Sequence, residues 1–60
     1  MKDPQKELEK IEFSYRTYKS KIYRELEIWE DIAMQINSNT GKNKKFWCLV
    51  MDLYHKKYSS

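Results

Sequence analysis

The chain has 60 residues, of which 40% are hydrophobic and 35% are charged, and its formal charge at pH 7 is +3. A domain of this size is marginally stable without a disulfide, a metal or an oligomer, and a single cysteine excludes an internal disulfide. One Gly and one Pro leave few turn signals, so composition predicts one all-α domain over residues 1–60.

The first predicted element is a long helix that begins at Asp3-Pro4, with Asp3 as its cap and Pro4 in its first turn. No strong helix breaker follows until about Asn37, and apolar residues recur every three or four positions. This stripe consists of Leu8, Ile11, Tyr15, Tyr18, Ile22, Trp29, Ile32 and Ile36, with Leu26 and Ala33 widening it. Ser20 is its weakest point, and a break within residues 17–21 would divide it into two helices.

Residues 37–43 are the predicted loop, because their Asn, Ser, Thr and Gly residues favour turns and caps. We expect Gly41 in a left-handed conformation, and Thr40 or Asn43 as the cap of the next helix. That helix runs from about Lys44 to Tyr58. On a helical wheel its apolar residues span an arc of roughly 200°, whereas one neighbouring helix covers an arc of only roughly 100–140°. The chain is therefore predicted to form a helical hairpin, or a three-helix unit if the first helix breaks.

Two groups of apolar side chains exceed what this hairpin can bury. The last helix, at roughly 22 Å, covers only half of a continuous first helix of roughly 50 Å. The N-terminal half of the stripe and the flanks of the last helix therefore remain for a partner, while Trp29 and Trp47 are expected in the core. The predicted interface residues are Leu8, Ile11, Tyr15, Tyr18, Leu49, Met51 and Leu53. We expect them to bind a second copy or another helical protein, so that the chain is an oligomer or an interaction module.

A second pattern joins the two halves of the chain. Residues 29–33 have the sequence Trp-Glu-Asp-Ile-Ala, and the last helix then carries an aromatic and aliphatic series followed by two basic residues: Trp47, Val50, Tyr54, Lys56 and Lys57. Over roughly residues 18–58 this order resembles the Myb/SANT-like superfamily, in particular its MADF branch. The resemblance implies a three-helix core built on the tryptophans, with the third helix in the DNA major groove or against a protein.

DNA binding is the alternative function that the resemblance implies. Basic residues around the last helix can contact phosphates beside an inserted helix, and the candidates are Lys42, Lys44, Lys45, His55, Lys56 and Lys57. A recognition helix also needs polar side chains on its outer face, and four positions there are instead Cys48, Leu49, Met51 and Leu53. Protein interaction is therefore the first prediction, and DNA binding is the second.

No motif predicts catalysis or a bound cofactor. Cys48 and His55 lie about 10 Å apart along the last helix, which is too far for one metal ion or a catalytic pair. The sequence contains no glycine-rich phosphate loop and no Ser/His/Asp set. We expect no enzyme activity, no cofactor, no metal and no small-molecule substrate.

The compartment is predicted from the same composition. A single cysteine fits a reducing environment. No apolar run approaches the roughly 18 residues that cross a bilayer, and the N-terminus has no signal-peptide core. We expect an intracellular protein, cytoplasmic or nuclear, without a membrane partner.

Overall fold

The computed structural model describes residues 2–59, which form three helices and no strand. Helix α1 spans Pro4–Ser14, α2 spans Lys21–Ser38 and α3 spans Gly41–Tyr58. The all-α prediction is confirmed, and the three-helix form is the one observed. α1 and α3 run in the same direction, because Lys2 lies over the Phe46 ring at one end and Glu12 pairs with Lys57 at the other.

The N-terminal half of the chain is two helices, so a single long helix is wrong. α1 begins as predicted, with Asp3 Oδ1 accepting a hydrogen bond from the Gln5 N–H at 2.9 Å. It ends at Ser14, and residues 15–20 form a non-helical connection. Ser20 is the cap of α2, since its hydroxyl accepts a hydrogen bond from the Tyr23 N–H at 3.3 Å. The break therefore contains residues 17–20 of the predicted range, ends one residue before Lys21, and begins two positions earlier, at Tyr15.

The connection between α2 and α3 is shorter than the predicted loop of residues 37–43. α2 continues to Ser38, and only residues 39 and 40 are non-helical before α3 begins. Gly41 has the predicted left-handed conformation, with φ 59°. Thr40 occupies the cap position without a side-chain hydrogen bond. α3 therefore begins three residues before Lys44, the predicted start.

Each helix contributes two buried residues, three or four positions apart, to one core. The buried residues are Leu8, Ile11, Ile28, Ile32, Val50 and Tyr54. Around them pack partly buried residues, namely Tyr15, Ile36, Phe46, Trp47, Met51, Leu53 and Tyr58. Trp47 is thus in the predicted core region, at its edge.

Leu8 and Ile11 are core residues, which corrects their assignment to a partner interface. That assignment assumed that no helix of the chain could reach them. The connection at residues 15–20 lets α1 fold back onto the other two helices, and Leu8 is 1% exposed as a result. Burial of such a side chain contributes about 1.5–3 kcal/mol to folding.

The break also changes which side of α2 faces the core. Six non-helical residues interrupt the helical phase, so the apolar stripe of α1 does not continue along α2. Ile28 and Ile32 point inward, whereas Ile22 and Leu26 are exposed. Trp29, expected in the core, is 43% exposed.

Leu8 and Leu49 were both predicted to be interface residues, and their alanine variants distinguish the buried position from the exposed one. We expect Leu8→Ala to lower the free energy of unfolding by about 2–5 kcal/mol, because it leaves a cavity. Leu49→Ala, at an exposed position, changes it by less than about 0.5 kcal/mol. Urea unfolding followed by circular dichroism measures both, and equal losses would contradict this core.

Candidate functional site

Among residues 2–59, the largest group of exposed apolar side chains lies on one side of α2. We define the outer face of α2 as Ile22, Tyr23, Leu26, Trp29, Ala33 and Met34. Ile22 is 72% exposed and Met34 is 65% exposed, while the small Ala33 is partly buried. On a helical wheel these residues fall in an arc of about 140° centred well away from Ile28 and Ile32. Glu30 is the one charged residue in that arc.

The outer face of α2 is large for a chain of this size. Its five large side chains are roughly half to three-quarters exposed and present on the order of 600–700 Å² of accessible surface. The largest apolar patch on a typical monomeric protein is about 300–600 Å², and such patches are often functional. The sequence prediction placed four of these residues, Ile22, Leu26, Trp29 and Ala33, in the single apolar stripe of a continuous helix. Within α2 alone they form a second apolar row, separate from the buried Ile28 and Ile32.

Tyr15 and Tyr18, both predicted interface residues, have different environments. The Tyr15 hydroxyl donates a hydrogen bond to Asp31 Oδ2 at 3.1 Å, which joins the end of α1 to α2. Burial, followed by this hydrogen bond to Asp31, raises the pKa of Tyr15. Tyr18 packs edge-on against Tyr15, with ring centroids 5.4 Å apart, and remains exposed. Tyr18 is therefore the tyrosine of this pair that is available to a partner.

The predicted interface residues of α3 also separate into two groups. Met51 and Leu53 are partly buried and pack against the core. Leu49 is 53% exposed and lines a shallow depression of about 650 Å³ together with Cys48 and Lys45. Of the three, Leu49 alone is exposed.

The basic residues predicted for DNA binding lie on the solvent side of α3. Because α3 begins at Gly41, the lysines at positions 42, 44 and 45 belong to its first turns and not to a loop. These three, with His55 and Lys56, are exposed. Lys57 is also exposed, and it pairs with Glu12, with Nζ 2.8 Å from Oε2. Asp52 is the one acidic residue of α3.

Two tyrosines of α3 hold it to the other helices. The Tyr54 hydroxyl donates to the Glu25 carbonyl at 3.1 Å, and burial raises the pKa of Tyr54. The Tyr58 hydroxyl donates to the Glu12 carboxylate. Burial first, and then this hydrogen bond, raises the pKa of Tyr58. These groups serve packing, since both hydroxyls are already paired.

Metal binding requires a group of side chains that ligate metals. Over residues 2–59, no set of three or more His, Cys, Asp or Glu side chains could hold a metal ion. Cys48 is an exposed free thiol. None of the helices in the described range is long and apolar enough to cross a membrane.

Comparisons with known proteins give no further assignment. No family model matches the chain, and no significant match was found among curated proteins or solved structures. The Myb/SANT-like resemblance therefore stays a prediction from the sequence. Two exposed surfaces are the candidate sites of this chain: the outer face of α2 and the basic side of α3.

The pH dependence of stability in Tyr58→Phe tests the hydrogen bond between Tyr58 of α3 and Glu12 of α1. Because the folded pKa of Tyr58 is raised, its contribution to stability is complete below the unfolded value of about 10 and is lost as pH rises above it. We expect the free energy of unfolding of the wild type to fall as pH rises above about 10, and to fall less in Tyr58→Phe. Tyr18→Phe is the matched control, since the Tyr18 hydroxyl makes no hydrogen bond among the described residues. Identical slopes in all three proteins would contradict the contact.

Proposed function

We propose that this chain is a small helical protein–protein interaction module that assembles with itself or with another helical chain. The outer face of α2 is the observation that carries the proposal. It combines aliphatic side chains with Tyr23 and Trp29, and aromatic residues with a polar atom are frequent binding hot spots. Covering such a face with an apolar surface of a partner is favourable, because it removes apolar side chains from water.

Size is a second reason for assembly. The core consists of six buried residues, and a domain of 60 residues buries only about 60% of the surface that its unfolded chain exposes. Covering the outer face of α2 would add apolar burial at about 1.5–3 kcal/mol for each fully buried large side chain. Tyr18 and Leu49 are further exposed residues that a partner could contact.

Sedimentation over a concentration series tests self-association. We expect the weight-average mass to rise above the monomer mass of 7.4 kDa between about 1 µM and 1 mM protein. Since the outer face of α2 carries one charged residue, the association should change little between low and high salt. A mass of 7.4 kDa at every concentration would contradict self-assembly.

DNA binding is the second candidate, and one feature of α3 favours it. Four apolar residues were expected on the outer side of this helix, but Met51 and Leu53 face the core. The solvent side that remains is mainly basic, with exposed lysines at both ends of the helix. Such a side supports contact with phosphates.

Fluorescence anisotropy with duplex DNA tests this second candidate. If α3 binds DNA, the affinity falls steeply with salt, and replacing Lys42, Lys44 and Lys45 by Ala weakens binding at least about tenfold at low salt. The control replaces Arg16, Lys19 and Lys21, which removes the same charge from exposed positions around the α1–α2 connection, away from the first turns of α3, and should have a smaller effect. Equal effects of the two triple variants, or no binding at low salt, would contradict recognition by α3.

A further inference from the structure

Four residues of the outer face of α2 form a straight seam. Ile22, Leu26, Trp29 and Ala33 follow one another at spacings of four, three and four residues. This is the spacing with which two helices pack side by side in a coiled-coil geometry. The seam lies within about 60° of the helical wheel and extends about 16 Å along the axis. Its shape therefore suits one straight helix as the partner.

The seam is complementary to its own reversed copy. If a second α2 runs antiparallel with the two-fold axis between residues 27 and 28, Ile22 of each copy faces Ala33 of the other. In the same register Leu26 faces Trp29. Trp29, the largest side chain of the seam, thus packs against the medium-sized Leu26. Ala33, the smallest, packs against the β-branched Ile22, so the interface is filled evenly along its length. A parallel pair would instead place two Trp29 rings together and two Ala33 methyl groups together.

The polar residues on the outer face of α2 are compatible with the same register. Tyr23 of one copy lies beside Glu30 of the other, where its hydroxyl can donate to the carboxylate. The two Glu30 residues are offset by about 7–8 Å along the axis, so like charges are not directly opposed. Glu30 is exposed and can keep part of its hydration.

The available area is also near what a dimer needs. The residues that a second copy would cover, Ile22, Tyr23, Leu26, Trp29 and Ala33, present on the order of 500 Å², so a dimer would bury about 1,000 Å² in total, which is the lower end for a specific interface. α1 and α3 pack on the opposite side of α2 and do not obstruct its approach, as the exposure of Ile22 and Leu26 shows. A second copy can therefore cover the face without unfolding any helix.

We propose that the occupant of the outer face of α2 is the same face of a second copy, in an antiparallel two-fold dimer. This inference rests on the proposed interaction function and specifies its partner and geometry. Trp29 and Leu26 form the centre of the interface, and Ile22 and Ala33 form its ends.

Paired leucine substitutions locate the interface. Leu26→Glu places a charge at the centre of the proposed dimer, and Leu49→Glu places the same charge on exposed α3. Both residues are about half exposed, so both variants should keep the wild-type helical circular dichroism spectrum. We expect Leu26→Glu to raise the dimer dissociation constant at least about a hundredfold in sedimentation, and Leu49→Glu to leave it within about threefold.

Disulfide trapping tests the register, in a Cys48→Ser background that removes the native thiol. An equimolar mixture of the Ile22→Cys and Ala33→Cys proteins should form a mixed disulfide under mild oxidation, because these positions face each other. Either protein alone should cross-link far less. Efficient cross-linking of each protein with itself, without the mixed product, would indicate a parallel pair and overturn the proposal.

The remaining outcomes separate this inference from the function on which it rests. Self-association that is lost in Leu49→Glu but kept in Leu26→Glu would overturn the α2 dimer while retaining the interaction module. A wild-type protein that stays monomeric at every concentration would overturn the dimer and the self-assembling function together. Loss of the dimer in Leu26→Glu with the mixed disulfide present supports both.

Discussion

The connection at residues 15–20 is the feature on which the rest of the structure depends. It ends α1 and begins α2 with a new helical phase, set by the Ser20 cap. Because the chain reverses there, Leu8 and Ile11 reach the other two helices and complete the core. The Tyr15–Asp31 hydrogen bond then holds the end of α1 against α2. Without this reversal the same residues would form an uncovered half of a long helix.

A consequence of three helices in so short a chain is that α2 cannot bury all of its apolar surface. Its two neighbours pack on the side that carries Ile28 and Ile32. The opposite side is nearly as apolar, with exposed Ile22, Leu26 and Trp29. No fourth helix is present among the described residues to cover it. This two-sided character of α2 is what connects the fold to the proposed interaction.

α3 supports two functional proposals with different surfaces. Its apolar side is used within the chain, since Val50 and Tyr54 are buried and Met51 and Leu53 pack beside them. Its solvent side is mostly basic, with Leu49 and Cys48 as apolar interruptions. Protein association through α2 and phosphate contact through α3 would therefore use separate faces, and one would not obstruct the other. We favour protein association through α2. Its outer face exposes more apolar side chains than the solvent side of α3, and its seam is complementary in size to its own reversed copy.

The sequence by itself determined the all-α class, the start of α1 at Asp3-Pro4 and the left-handed Gly41, because these follow from local residue preferences. Local preference also marked Ser20 as a break point, but it did not say whether the helix would break there. Only the tertiary structure decided that α1 folds back, which made Leu8 core and turned Trp29 outward. The physical reason is that a side chain's burial depends on the helical phase after each break and on which helices pack against it. Neither is specified by spacing along the chain, so the exposed seam on α2 became visible only in three dimensions.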